Sequence, residues 1–266
     1  MASSVSLLLY QSLFLSTVLF NSGTWSNLKE NELVKLRTLQ LKFLKKILRV
    51  ARSTCNAFVF LEMGVLPIEH EIRKRQLMYL HRILQLEHDD PVFQMFTNIK
   101  ELDKCGERNW WTGVKENLTR YNIEENTDEI SSFSKEKFKE MVTCRVKETA
   151  FRELSEELKS KKKTQALTYE KFGTQKYLLD FYPGQARTIF KARCKTLDLK
   201  SNISYKYKDG VCRLCGVEEE TLSHATNCGH DEKLTFDVTD LAKINSANSR
   251  RCIHRIETFL EKVLEQ

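Results

Sequence analysis

The chain has 266 residues, 41% hydrophobic and 30% charged, a balance that excludes a disordered or fibrous protein. Only 9 glycines and 3 prolines punctuate it, which favours long helices over a turn-rich β architecture. A formal net charge of +7 is a mild basic bias, compatible with nucleic acid or an anionic surface and proving neither.

In chain order, Val5 to Phe20 is apolar with Ser6, Gln11, Ser12, Ser16 and Thr17 interspersed. It is too short and too polar for a membrane span. No basic residue precedes it and no small-x-small site follows, so it reads as a helix buried on nearly every side, not as a signal peptide. An intracellular chain, nuclear or cytoplasmic and without a membrane partner, is the expectation. Ser22, Gly23 and Thr24 make a break, and Asn27 with Glu30 has capping-box spacing. The helix expected from there to about Val50 has a face of Leu33, Leu36, Phe43, Leu44 and Ile47. Its other positions carry Lys35, Arg37, Lys42, Lys45, Lys46 and Arg49, giving an amphipathic basic helix.

Ser53 or Thr54 is placed to cap a short helix through Ala57, Val59 and Leu61, ended by Gly64 in the left-handed region. Pro67 suits the first turn of a helix to about Leu86, with Ile68, Ile72, Tyr79 and Ile83 inside. Asp89, Asp90 and Pro91 then break the chain and start a short piece. Residues 100–133 are polar and read as a linker or insertion with one helix near Trp111, Val114, Leu118 and Tyr121. Ser134 can cap a long helix to about Ser160, with Phe138, Met141, Val142, Arg145, Val146, Thr149 and Leu154 inward. Lys161, Lys162 and Lys163 then complement its dipole, which explains the run without nucleic acid. A helix over 185–197 opens a second basic stretch: Arg187, Lys191, Arg193, Lys195, Lys200, Lys206 and Lys208 against only Asp198. Asp209-Gly210 is a tight-turn signal, and a last helix is expected near Ile253 to Leu264. The fold class predicted is all-α, with short strands only around the cysteine cluster that follows the turn.

Of the 8 cysteines, Cys55, Cys105, Cys144, Cys194 and Cys252 are dispersed and read as reduced thiols. The others form Cys212-Arg-Leu-Cys215, then His224 and Cys228. A Cys-x2-Cys turn presents two thiolates to one ion, and a His-x3-Cys pair places two more ligands about one helical turn apart. Four protein ligands close the coordination shell, so the expectation is one structural Zn2+ per chain that does not activate water. His230 is the alternative to His224 as the imidazole ligand. No His/Asp/Glu nuclease constellation and no phosphate-cradling glycine loop occurs in the sequence.

Cys212-Arg-Leu-Cys215-Gly216, with Glu220-Thr221, His224 and Cys228, resembles the knuckle near the carboxyl end of non-LTR retrotransposon reverse transcriptases. Ala186-Arg187-Thr-Ile-Phe-Lys-Ala-Arg193 resembles the basic helix preceding that knuckle. Leu9-Tyr-Gln-Ser-Leu-Phe-Leu-Ser16 and Asn21-Ser-Gly-Thr-Trp25 look like the segment that follows the palm. Gln40-Leu-Lys-Phe-Leu-Lys-Lys-Ile-Leu48 and Leu61-Glu-Met-Gly-Val-Leu-Pro-Ile68 are similar to the thumb. The His-to-Cys gap is one residue shorter than is usual in that family.

The resemblance implies a thumb-like region over 1–99, a linker or insertion over 100–133 and a basic helical region over 134–208. A CCHC knuckle over 209–230 and a helical tail over 231–266 complete it. The family's palm aspartates are missing: Asp89-Asp90 follows Glu87-His88 and precedes Pro91, where the pair stops a helix. The implied function is a nucleic-acid-binding fragment without polymerase activity, its partners RNA or DNA and the palm domain of a parent polymerase. The residues expected to contact nucleic acid are Lys42, Lys45, Lys46 and Arg49, then Arg187, Lys191, Arg193, Tyr205, Lys206, Tyr207 and Lys208. A zinc-stabilised protein-interaction module, suggested by the acidic Glu218-Glu219-Glu220, and a translated relic without present activity are the competing readings.

Overall fold

A computed structural model describes residues 7–26, 28–203, 205–236 and 247–265. Among them the fold is all-helical, with no sheet: the β pairing consists of two isolated antiparallel bridges, Met63 with Thr174 and Val211 with Glu219. The helices are α1 (Glu30–Leu48), α2 (Asn56–Met63), α3 (Ile68–Ile83), α4 (Pro91–Lys104), α5 (Trp110–Arg120) and α6 (Thr127–Ser132). They continue as α7 (Lys135–Lys159), α8 (Tyr177–Asp180), α9 (Pro183–Arg193), α10 (Leu222–Asn227) and α11 (Ala247–Leu264). No described helix is long and apolar enough to cross a membrane.

Three expectations change. The amino-terminal segment is not buried all round: Tyr10, Leu15 and Leu19 are buried, while Leu13 and Phe20 stay exposed. It winds as a π-helix over Tyr10–Leu15, whose wider turn places residues five apart on one side. Neither Ser53 nor Thr54 caps α2. Cys55 takes the cap position without a side-chain bond, and the preceding loop is held by Lys45, which donates to Arg52 O (2.7 Å), Thr54 O (2.6 Å) and Asn56 Oδ1 (2.8 Å). Residues 100–133, expected as a linker or insertion with one helix, carry that helix as α5 and add α6 and the end of α4. Each helix has its own side-chain cap: Asp90, Asn109 and Asn126 accept from the first-turn amides. The expected Asn27 cap lies outside the described residues.

The chain divides into two compact units. The first comprises Met1–Leu9, Lys42–Val65 and Leu154–Gln266, and the second Tyr10–Leu41 and Leu66–Glu153. In the second, α3 packs on the short 3-10 turn Ser22–Thr24, on α5 and on α4. Buried Gln40 bonds Tyr10 Oη (2.6 Å) and Leu66 O (2.8 Å), and its own oxygen takes the first amide of α3, Ile68 N (2.9 Å). Trp110 donates to Gly23 O (2.9 Å), and Gln76 bridges Trp25 O (2.7 Å) and Asn117 (2.9 Å).

A polar relay runs through this unit. Tyr121 Oη lies 3.0 Å from His70 Nδ1, His70 Nε2 lies 3.3 Å from Glu153, and Arg120 lies 2.6 Å from the same carboxylate. The hydrogen bond from His70 holds Glu153 below the usual carboxylate range against its partial burial. A depressed carboxylate stabilises the fold fully above its unfolded pKa, and that contribution is lost as pH falls through the lower folded value. Acidification from about pH 5 to pH 3 should therefore lower the melting temperature of the wild type more steeply than that of Glu153→Gln. Parallel profiles would remove the relay from the account.

In the first unit, α11 packs against both α9 and α10, and α8 packs on α9. Every residue of α2 from Ala57 to Met63 is buried. Gly64 ends α2 at φ +60°, where a Cβ would stand 2.2 Å from Thr174 N, so both the conformation and the close approach require glycine. The one carboxylate inside α2, Glu62, is fully buried. It accepts from Arg193 Nε (3.0 Å), from Tyr169 Oη (2.5 Å) and from Tyr177 Oη. Burial and the facing carboxylate push both tyrosine hydroxyls far above their ordinary values, so they remain donors.

Candidate metal centre

A small hairpin builds one half of the centre. Val211 bridges Glu219, Cys212 N donates to Glu218 O (2.8 Å), and Glu220 N donates to Gly210 O (2.8 Å). Between those bonds the turn carries Cys212 and Cys215, and Gly216 closes it at φ +67°. The other half is α10. Thr221 caps it by accepting from His224 N (3.1 Å), and Cys228 N donates to His224 O (2.7 Å). His224 and Cys228 thus stand one turn apart, as their spacing implied.

The structure brings Cys212, Cys215, His224 and Cys228 together. Their ligand atoms all lie within 4.8 Å of one another, so the quartet could hold a metal ion. Cys212 and Cys228 sulfurs are 3.9 Å apart, and Cys215 Sγ is 3.4 Å from His224 Nε2. His224 Nδ1 bonds Glu218 (2.9 Å), which fixes the ring and leaves Nε2 to face the sulfurs. His230 lines the same hollow but is not one of the quartet. Amides of Glu218 and Val217 lower the Cys215 thiol to about 6, whereas burial pushes Cys228 up to about 12. A cation among the sulfurs would favour the thiolate at both.

Sequence reasoning missed what supports this centre. Fully buried Glu220 accepts from Lys200 N (3.0 Å), Arg213 N (2.9 Å) and the Arg213 guanidinium (2.6 Å). Burial opposes its ionisation, but Arg213 outweighs burial and holds it below the usual range. Nothing in a run of three glutamates marks one as internal. The pairing of Glu220 with Arg213, across the Cys-x2-Cys turn, was the available signal.

The expected nucleic-acid contacts are placed unequally. Lys42, Lys46, Arg49, Lys206 and Lys208 are exposed, and Arg187 and Lys191 are partly buried. Lys45 and Arg193 are buried, and both turn their charge inward: Lys45 to the loop before α2, Arg193 to Glu62. Burial also pulls the Lys45 ammonium below its ordinary value. Tyr205 is 91% exposed. Tyr207 is held by Arg213, Lys200 and Lys206, which lie 5.2, 5.7 and 5.4 Å from its ring centre. Within the first unit, the end of α1 and the start of α9 line one groove through Phe43, Lys46, Ile47, Arg49, Pro183, Gly184 and Arg187. No protein-family model matches the chain, and neither a curated protein nor a solved structure matches it significantly.

Proposed function

We propose that the chain is a zinc-stabilised nucleic-acid-binding module, descended from the thumb-plus-knuckle end of a non-LTR retrotransposon reverse transcriptase. It binds RNA or DNA without polymerising it, and the palm domain of a parent polymerase is its natural protein partner. One observation carries the reading. The basic residues from Lys42 to Arg49, those from Arg187 to Lys208 and the Cys3His quartet, far apart in sequence, belong to one compact unit.

Zinc is the ion the donor set favours. Zn–S of about 2.3 Å and Zn–N of about 2.0 Å in a tetrahedron separate two sulfurs by about 3.8 Å, and sulfur from nitrogen by about 3.5 Å. The quartet has 3.9 and 3.4 Å. With four protein ligands, such an ion contributes fold stability and leaves no position for water.

Lys42, Lys46, Arg49, Arg187, Lys191 and Lys208 face no carboxylate partner among the described residues, so their charge is free to displace counterions from phosphates. The acidic loop opposes this less than its composition suggests. Glu220 is neutralised by Arg213 and Glu218 is engaged with His224, which leaves Glu219. Exposed Tyr205 offers a face for an unpaired base.

Fluorescence anisotropy with labelled strands over a range of salt tests this. Each phosphate contact contributes a slope of about 0.7–0.9 in log affinity against log salt, so a Lys42→Gln, Lys46→Gln, Arg49→Gln variant should lose roughly 2. Lys45 is left intact because it holds the loop before α2. Affinity that does not change between low and high salt would defeat the proposal.

A further inference from the structure

We propose that the groove between the end of α1 and the start of α9 is the seat of a single unpaired nucleotide, its phosphate on Arg187, Lys46 and Arg49. The inference rests on the nucleic-acid reading above and gives it a location. Lys46, Arg49 and Arg187 line the groove, with no carboxylate among the lining residues. None of the three forms an ion pair with a described residue, although ion pairs engage many other cations of the chain. Arg187 Nε is buried and has no hydrogen-bond partner. No described carboxylate answers the Arg187 guanidinium, and an anion in the groove it lines would pair with its charge.

The neighbouring backbone agrees. Tyr182 gives α9 no side-chain cap, and the first amide of the helix to bond is that of Ala186, to Tyr182 O (2.9 Å). The amides of Gly184, which lines the groove, and of Gln185 after it are therefore without an acceptor, at the positive end of the helix dipole. Arg49, a groove residue, is held at φ +51°, a conformation few non-glycine residues adopt.

The remaining walls are apolar: Phe43 and Ile47 from α1, and Pro183 from α9. The hollow is about 760 Å³, within the range of small-ligand sites. A cationic side next to an apolar side fits a phosphate joined to an exposed base or sugar. A paired base has its faces inside the stack and offers the groove only phosphate, so an unpaired strand should profit more.

Arg187→Gln and Arg187→Lys test the site against a labelled oligothymidine and a duplex of equal length. Arg187→Gln should weaken the single strand about ten-fold, the scale of one charge-assisted hydrogen-bonding group, and the duplex by less. Arg187→Lys, which restores charge without the fork, should recover part of the loss. In the wild type, adding oligothymidine or inorganic phosphate should shift the amide resonances of Gly184 and Gln185. That readout decides the matter even if Arg187→Gln folds poorly. Wild-type binding that Arg187→Gln leaves unchanged, or shifts confined to residues 205–208, overturns the groove and leaves the general reading standing. No binding of either strand by the wild type overturns both.

Discussion

Replacing Cys215 with Ser should abolish metal binding at the quartet and loosen α10 and part of α11. The hairpin at 211–219 and the six-residue α10 are short, and a metal held by the quartet would join them where Glu220 and Arg213 leave off. Structural zinc in such modules carries apparent binding energies of roughly 10–16 kcal/mol near neutral pH, so losing one thiolate removes most of what fixes the segment. The damage spreads beyond the knuckle because α10 packs on α11, and α11 on α9. All 3 tryptophans (Trp25, Trp110 and Trp111) lie in the second unit, so their fluorescence should not move. The expected result is one zinc per wild-type chain by elemental analysis, none in Cys215→Ser, and a partial loss of helical circular dichroism at constant tryptophan emission. Wild-type protein purified under reducing conditions without zinc would falsify the centre. A variant melting curve that overlays the wild type would show that the ion contributes nothing to the fold.

Glu62→Ala should be the most damaging single change away from the metal. It leaves Arg193, only 5% exposed, as a buried cation without its counter-charge, and removes the acceptor of two buried tyrosine hydroxyls. Removing one partner of a buried ion pair costs about 3–5 kcal/mol, a large share of what a domain possesses. The double variant Glu62→Leu, Arg193→Met should recover much of that, because neither charge is then desolvated. Urea denaturation followed by circular dichroism reads both. A Glu62→Ala cost under about 1 kcal/mol would mean that the pair is incidental to the first unit.

Much of this was legible in the sequence because it is local. Gly64 at a left-handed helix end, the stripe Phe138, Val142, Val146 and Leu154 along α7, and the Cys-x2-Cys with His-x3-Cys all depend on neighbours within a turn or two. What escaped depends on which groups a folded loop or a distant helix turns toward a side chain: 7 to 11 residues away for Lys45, 131 for Arg193. Lys45 and Arg193 look like any other cation of their basic stretches, and only the fold shows the carbonyls and the carboxylate that claim them. Residues 100–133 looked like a linker around one helix because the second helix there, α6, is six residues long and buries Ile130, too little for a stripe. The groove residues Phe43 and Arg187 were read separately, and spacing alone could not join them.

The interleaving of the two units has a consequence for synthesis. Everything in the second unit precedes residue 154, so a growing chain can complete it early, with Lys42–Val65 looped out. α2 is then left as a nearly all-apolar helix with one carboxylate, and Glu62 must wait 107 residues for Tyr169, 115 for Tyr177 and 131 for Arg193. Such distant closure is slow, and an exposed apolar helix is a site for aggregation or chaperone capture in the interval. Translation that stops before Arg193 would release a chain with one finished half and one adhesive helix.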